Sequence, residues 1–306
     1  MSKILILGKD GQVGRALVKL LGKNALAAGK GDINFLDTDF ISTLEKWVGN
    51  QSLSAVINAA AYTQVDKAEG DSCEAAFRIN ATAVGELAAW CKKRDVPLVH
   101  YSTDYIFNGN SHRPYQEEDK TAPINAYGES KLEGENAIKT QGGKYIIFRT
   151  SWVYDAHGKN FFTTILRLLH EKDSLNVVAD QIGAPTYALH LAQATLKALP
   201  LRASGLFHLC NAGETSWHGF AQAIFTLAKP HDSSIKCRQI NPIPTSAYPL
   251  PAPRPLNSRL NCTRAREILG FTLPSWEMGL KECIEEVYAD SGLQNSGAKN
   301  HPARRP

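Results

Sequence analysis

The strongest constraint on this chain lies at its start. Lys3 to Leu7 (KILIL) is a short apolar run that reads as a buried strand. It leads straight into Gly8-Lys9-Asp10-Gly11-Gln12-Val13-Gly14, and a helical pattern follows through Leu17, Leu20 and Leu21. Small residues let such a turn fold tightly and let a pyrophosphate approach the backbone. The helix N-terminus behind it offers free N–H groups and the positive end of the helix dipole. Gly8, Gly11, Gln12 and Val13 are therefore candidate cofactor ligands. The spacing is G-x-x-G-x-x-G rather than G-x-G-x-x-G, and the competing reading is a glycine-rich turn that binds nothing.

The pattern then repeats. Ala25 to Ala28 reads as a second strand, ending in Gly29-Lys30-Gly31 where an acidic residue for a ribose hydroxyl is usual. Lys30 would suit a 2′-phosphate and so NADPH, or is a solvated lysine. Asp37-Thr38-Asp39 reads as the loop and cap before a helix over Phe40 to Val48, with Asp37 and Thr38 as further candidates on the adenine side. Ala55 to Ile57 is a strand, and the small residues Ala59, Ala60 and Ala61, with Tyr62 and Thr63, follow it where a cofactor can lie against the backbone. Cys73 to Arg94 reads as one long helix, with Asn80 as a polar tie within it. Leu98 to Tyr101 is a strand ending in Ser102-Thr103-Asp104-Tyr105. Another helix runs from Tyr127 to about Thr140. Tyr145 to Phe148 is a strand ending in Arg149-Thr150-Ser151-Trp152. Strand and helix in alternation argue for an α/β fold with a parallel sheet covered on both faces.

Beyond Trp152 the pattern loosens. Helices are expected over Lys159 to His170, Leu189 to Leu199, Trp217 to Ala228 and Trp276 to Tyr288, and strands over Leu175 to Val178 and Leu206 to Leu209. Residues 241–259 hold six prolines and read as an extended loop rather than helix or central strand. The expected organisation is a dinucleotide-binding domain over residues 1–152, to which part of about 175–230 returns. A substrate-binding part over 153–290 and a disordered tail over 291–306 complete it.

Charge and cysteine content exclude several classes. The net charge is +4, of which Lys299, Arg304 and Arg305 in the acid-free tail supply three, so the body carries about +1 and nucleic acid is not an expected partner. The six cysteines are scattered, with no Cys-x-x-Cys and no cysteine–histidine spacing that suits zinc. Reduced thiols in a cytoplasmic protein are the simplest reading. No secretion signal and no membrane-spanning run are expected.

The chemistry centres on Tyr127-Gly128-Glu129-Ser130-Lys131. Residues four apart in a helix share one face. A tyrosine with a pKa of about 10 is a poor acid–base group at neutral pH, and a nearby ammonium stabilises the phenolate and helps it exchange a proton. Alone, the pair is no more than a common helix-surface spacing.

With Gly8-x-x-Gly11-x-x-Gly14, Asn58-Ala59-Ala60-Ala61, Ser102-Thr103-Asp104 and Tyr127-x-x-x-Lys131 together, the chain resembles the extended short-chain dehydrogenase/reductase family. The resemblance spans about residues 3–288. Val65 to Glu69, Phe148 to Tyr154, Asp180 to Thr186 and the proline segment narrow it to a branch that reduces the C4 keto group of a nucleotide-linked sugar. It implies a Rossmann-type doubly wound parallel sheet with a smaller C-terminal α/β substrate-binding part, and NADPH or NADH as cofactor. It further implies Tyr127 as proton donor, and Lys131 as the group that lowers the Tyr127 pKa and holds the nicotinamide ribose. Thr103 would be the hydrogen-bond partner of the substrate carbonyl, with Ser102 as runner-up. Asp104, Tyr105 and Trp152 would line the sugar pocket; for Trp152 the alternative is core packing. Arg259 would pair with the substrate diphosphate or is a surface arginine. His100 reads as a satisfied strand residue rather than a base.

One departure from the family matters. Some members are dimers sharing a magnesium ion through glutamates, one of them two residues after the third turn glycine. Here Ala16 and Leu189 stand where acids are expected, and neither supplies the oxygen ligands a hard cation needs. No metal is expected, and the assembly is a monomer or homodimer. Two competing readings remain at this stage. One is an epimerase or dehydratase of the same superfamily, disfavoured because Thr103-Asp104-Tyr105 carries one acid and not two. The other is a cofactor-binding regulatory subunit, which would not need Tyr127, Lys131 and Thr103 together.

Overall fold

Parallel strands need a crossover of about a dozen residues or more, and the first two thirds of the chain supply such crossovers in series. The computed structural model describes residues 2–296. β1 (Lys3–Leu7) leads through α1 (Gln12–Leu21) to β2 (Ala25–Ala28), and α2 (Phe40–Val48) carries the chain across to β3 (Leu53–Asn58). A broken helical stretch ending in α3 (Ala83–Lys93) leads to β4 (Leu98–Thr103), and α4 (Ala126–Gln141) leads to β5 (Tyr145–Thr150). α5 (Phe161–Glu171) and α6 (Ala188–Ala198) precede β6 (Gly205–His208), and α7 (Trp217–Ala228) and α8 (Trp276–Ser296) follow it.

The six strands pair in the order β6-β5-β4-β3-β1-β2, all parallel. From β1 the chain goes first to one side and then to the other, so the topological switch point lies between β1 and β3. Ligands of such sheets bind outside the carboxyl ends of the strands at that point.

Strand alternation divides the core into layers. Leu5, Leu7, Val56, Leu98 and Ile147 pack with Phe40, Leu44, Leu87 and Ile138 from α2, α3 and α4. Ile6, Ile57, Val99, Phe148 and Phe207 point to the opposite face and pack with Leu17 of α1 and Leu191 and Ala198 of α6. A separate core joins α5, α7 and α8 through Phe162, Leu169, Phe220, Ile224, Leu280 and Ile284.

Four expectations need correction. The stretch read as one helix from Cys73 to Arg94 is a helix over Cys73–Phe77, a π turn over Arg78–Thr82 and then α3. The wider turn projects Asn80 towards the loop after β3, where its side chain accepts from Tyr62 N at 2.9 Å and donates to Tyr62 O at 3.0 Å. The proline segment is not wholly loop. Gln239–Ile243 pairs in parallel with Ser174–Val178, and Pro242 is tolerated because each strand of this two-stranded sheet keeps a free edge. The last helix continues to Ser296, into the stretch expected as tail; residues 297–306 lie outside the described residues. The cap expected before α2 also lacks a side-chain bond to the helix backbone; Asp39 accepts instead from Ser42 Oγ at 2.6 Å.

Among the described residues no helix is long and apolar enough to cross a membrane. No three His, Cys, Asp or Glu side chains among them converge as a metal site would need.

Candidate active site

The cleft forms where β1, β3, β4 and β5 end. Its wall on the β1 side is the glycine turn. A Cβ on Gly14 would stand 2.0 Å from Gly8 O, so only glycine lets α1 start this close to the strand it leaves. Gly11, the residue before α1, makes no side-chain cap, and the first N–H groups of a helix have no partner within it. One cavity of about 430 Å³ is lined by Gly11, Gln12, Val13, Ala59, Ala61, Thr63, Thr103, Asp104, Tyr127, Lys131 and Trp152, among others. A second of about 210 Å³ is lined by Gly8, Lys30, Phe35, Ala60 and their neighbours. The two share Gly11, Ala59 and Ala61, so they read as two ends of one elongated site. Gln12 Oε1, in the lining of the larger cavity, is buried without a hydrogen-bond partner, which fits a site built to take a polar ligand; Tyr62 lines neither cavity. Asp37 and Thr38 line neither cavity. Asp37 accepts from Asn34 Nδ2 at 3.1 Å.

α4 builds the opposite wall. Asn125 caps it, accepting from Gly128 N at 2.8 Å. A Cβ on Gly128 would lie 2.2 Å from Tyr105 O, so a glycine is needed for the helix to start against the end of β4. Further along, Glu135 receives Arg149 Nε and Nη2 at 2.9 and 2.8 Å. Both side chains are almost wholly buried. Ser102 Oγ also donates to Glu135, at 2.6 Å. Ser102 Oγ thus serves this pair, whereas the Thr103 hydroxyl lies beside the Tyr127 phenol in the cleft lining.

The electrostatics differ from a simple tyrosine–lysine couple. Burial pushes the Tyr127 phenol up to about 12, and the Thr103 hydrogen bond only partly opposes it. Lys131 Nζ reaches Tyr101 O at 2.5 Å and His100 Nε2 at 3.2 Å. Burial brings the Lys131 ammonium down to about 8. Besides burial, Thr103 and Asp104 are the side chains that act on the Tyr127 phenol.

His100 is fully buried, and burial with the Lys131 charge holds it well below its ordinary value. Its Nδ1 lies 3.1 Å from Asn58 Nδ2, and Asn58 Oδ1 accepts from Ala60 N at 3.1 Å. A chain of contacts thus links the Ala59–Ala61 loop to the lysine through His100, a link that the spacing of these residues does not reveal.

On the far side of the cleft Trp152 sits at φ +47°, a left-handed conformation costly for a bulky residue. It stacks on Trp217 with ring centroids 3.6 Å apart. Trp152 faces the cleft, and Trp217 faces a neighbouring cavity of about 560 Å³ lined also by Val65, Tyr105, Tyr248 and Arg254. Arg254 Nη2 pairs with Asp66 at 2.9 Å there. Arg259 lies elsewhere, against Glu214 at 3.0 Å in a separate cavity of about 230 Å³. Arg259, expected as a diphosphate partner or a surface arginine, therefore stands outside this cavity, and Arg254, between Pro253 and Pro255, lines it.

The chain matches the family described as "RmlD substrate binding domain" over residues 2–289. It is 44% identical over 300 residues to the dTDP-4-dehydrorhamnose reductase of Burkholderia thailandensis, covering 93% of this chain and 99% of that protein. The crystal structure of a dTDP-4-dehydrorhamnose reductase from Clostridium acetobutylicum superposes with a TM-score of 0.86 at 37% identity, covering 93% of this chain and 99% of that one. That of the Bacillus anthracis dTDP-4-dehydrorhamnose reductase, in complex with NADP, superposes with a TM-score of 0.85 at 34% identity, covering 94% and 100%.

Proposed function

This chain belongs to the RmlD substrate binding domain family, and from that premise we propose that it reduces the C4 keto group of dTDP-4-dehydro-L-rhamnose to give dTDP-L-rhamnose. It is an NAD(P)H-dependent oxidoreductase. The observation that carries the reading is the meeting of Tyr127 and Thr103 at the end of β4, in a cleft whose other wall is the glycine turn.

Bound NADPH or NADH supplies the hydride for the carbonyl carbon. The first turn of α1, with Gly8, Gly11, Gln12 and Val13, holds the pyrophosphate, and Ala59 to Thr63 line the path towards the nicotinamide. Lys131 holds the ribose end. Tyr127 gives its proton to the oxygen as it becomes an alkoxide. Burial serves that role, because a phenol at about 12 keeps its proton at neutral pH. Asp104, Tyr105 and Trp152 border the sugar. The large cavity beyond Trp217 takes the nucleotide, and Arg254 offers a guanidinium to the diphosphate. Lys30, exposed at the rim of the smaller cavity, favours a 2′-phosphate. The protein works in the cytoplasm as a monomer or homodimer, with neither nucleic acid nor metal as partner.

The test is oxidation of NADPH and of NADH by purified protein, with and without dTDP-4-dehydro-L-rhamnose. Oxidation that depends on the sugar is the expected result. Tight cofactor binding with no sugar-dependent oxidation would reject the reductase reading in favour of a regulatory subunit.

A further inference from the structure

We propose that Asp104 is a positioning residue: as the neutral acid it donates to Thr103 Oγ1 and so turns the Thr103 hydroxyl hydrogen into the cleft, towards a carbonyl oxygen. This inference rests on the reductase reading and concerns how the same site is set. It follows from counting hydrogen bonds at one atom.

A hydroxyl has one donor and two acceptor positions. Thr103 Oγ1 lies 3.0 Å from Asp104 Oδ1 and accepts from Tyr105 N at 3.2 Å. The Tyr127 phenol lies beside Thr103 and interacts with it. If Asp104 is a carboxylate it can only accept. Thr103 must then give its one hydrogen to Asp104, one lone pair is taken by Tyr105 N–H, and the other faces the Tyr127 O–H. Nothing is left for a substrate, and the Tyr127 proton points away from it. If Asp104 carries a proton, the pattern reverses. The carboxyl donates to Thr103, Thr103 donates into the cleft, and the Tyr127 proton is free to leave for the substrate oxygen. No proton is lost or gained by Asp104 in turnover; only the direction of the bonds changes.

The surroundings favour the neutral acid. Asp104 is 2% exposed, and no hydrogen bond of normal geometry reaches its Oδ2. A buried oxygen so poorly served is far less costly on a neutral carboxyl than on a carboxylate. The weaker polar contacts at the group, from Ser258, Thr103 and the N–H groups of Asp104 and Tyr105, only partly oppose the burial that pushes the carboxyl up to about 7. The ionisable groups that interact with it are Tyr105, Tyr127 and Cys210, and none is a cation. The direction of the bonds at Thr103 is thus poised near neutral pH, with the productive state lost as pH rises.

Two measurements test this. In wild-type protein carrying carboxyl-labelled aspartate, infrared spectra should show one protonated aspartate at about pH 6 that is lost by about pH 8 to 9 and is absent from Asp104→Asn. Full ionisation of every aspartate at pH 6 would overturn the proposal, whatever the enzyme's substrate. In turnover with the keto sugar, Asp104→Asn keeps a donor towards Thr103 at every pH, while Asp104→Ala has none. The expected result is an Asn variant at least about tenfold faster than the Ala variant. The wild-type fall in rate between about pH 6.5 and 8 should also disappear in Asp104→Asn. An Asn variant no better than Ala, or one that keeps the wild-type fall, would refute the assignment. A wild-type protein with a protonated Asp104 but no sugar-dependent oxidation would instead count against the reductase reading.

Discussion

Glu135→Ala should be among the most destabilising single changes near the site, although Glu135 touches no substrate in the proposed reading. The carboxylate is 0% exposed and takes two parallel bonds, at 2.9 and 2.8 Å, from an arginine that is 2% exposed. Ser102 donates to the same carboxylate at 2.6 Å. Removing it leaves the Arg149 charge buried with Glu117 O at 3.2 Å, His208 Nε2 at 3.4 Å and the Phe107 ring near it, and no anion among the described residues bonded to it. Breaking such a pair from one side costs about 3–5 kcal/mol. At about 2 °C per kcal/mol for a chain of this size, the midpoint of thermal unfolding should drop by about 6–10 °C. The pair joins α4 to β4 and β5, so the loss should come with weaker cofactor binding. Glu135→Leu with Arg149→Met removes both charges and should recover most of the lost midpoint. The pH dependence has a definite sign. Its partners hold the Glu135 carboxyl below its ordinary value, so the contribution is present at neutral pH and disappears on acidification through the folded-state value. A midpoint lowered by less than about 2 °C in Glu135→Ala would mean that Arg149 finds water or another acceptor, and the argument from burial would be wrong.

Other perturbations separate the roles of neighbouring groups. Tyr127→Phe should bind cofactor nearly as wild type, by fluorescence titration, while turnover drops by about two to four orders of magnitude; unchanged turnover would remove Tyr127 from the reaction. Arg254→Ala should raise the KM for the keto sugar by about 10- to 100-fold, the worth of a charge-assisted bond. Arg259→Ala should change it by less than about threefold, as for an exposed pair; the reverse ranking would return the diphosphate to Arg259. Trp217→Ala should raise KM by about 2- to 10-fold, the value of an aromatic stack, because Trp152 loses the ring that holds its left-handed backbone in place. An unchanged KM would show that Trp152 needs no such support.

What the sequence reveals of this fold is what depends on neighbours along the chain. The apolar run Lys3–Leu7, the glycine turn and the helix behind it are set by local geometry, and the first two appear where alternation and small residues place them. The strand–helix series beyond them fixes a parallel sheet by the same logic. The features it does not reveal have long-range causes. Nothing in the apolar spacing of 73–94 announces a π turn at Arg78–Thr82. It accompanies bonds from Asn80 to Tyr62 and Ser130, which lie 18 and 50 residues away. Arg254 and Arg259 share one proline-rich context, and only their tertiary partners, Asp66 and Glu214, separate them.

The same limit applies to the Tyr127–Lys131 pair, and here it changes the chemistry. A spacing of four puts the two side chains on one helical face, but a lysine has four rotatable carbons with which to choose a partner. It chooses Tyr101 O and the His100 ring. Coulombic help from Lys131 was the expected influence on Tyr127, and desolvation is the one found. For a step that ends with a proton on the substrate oxygen this is the more useful outcome. An acid at about 12 is still protonated when the carbonyl arrives, whereas an alkoxide, about as basic as hydroxide, accepts that proton readily. In the proposed reading the cleft starts from a protonated Tyr127. It needs the Tyr127 proton to point at the substrate, and that direction is set at Thr103 by the protonation of Asp104.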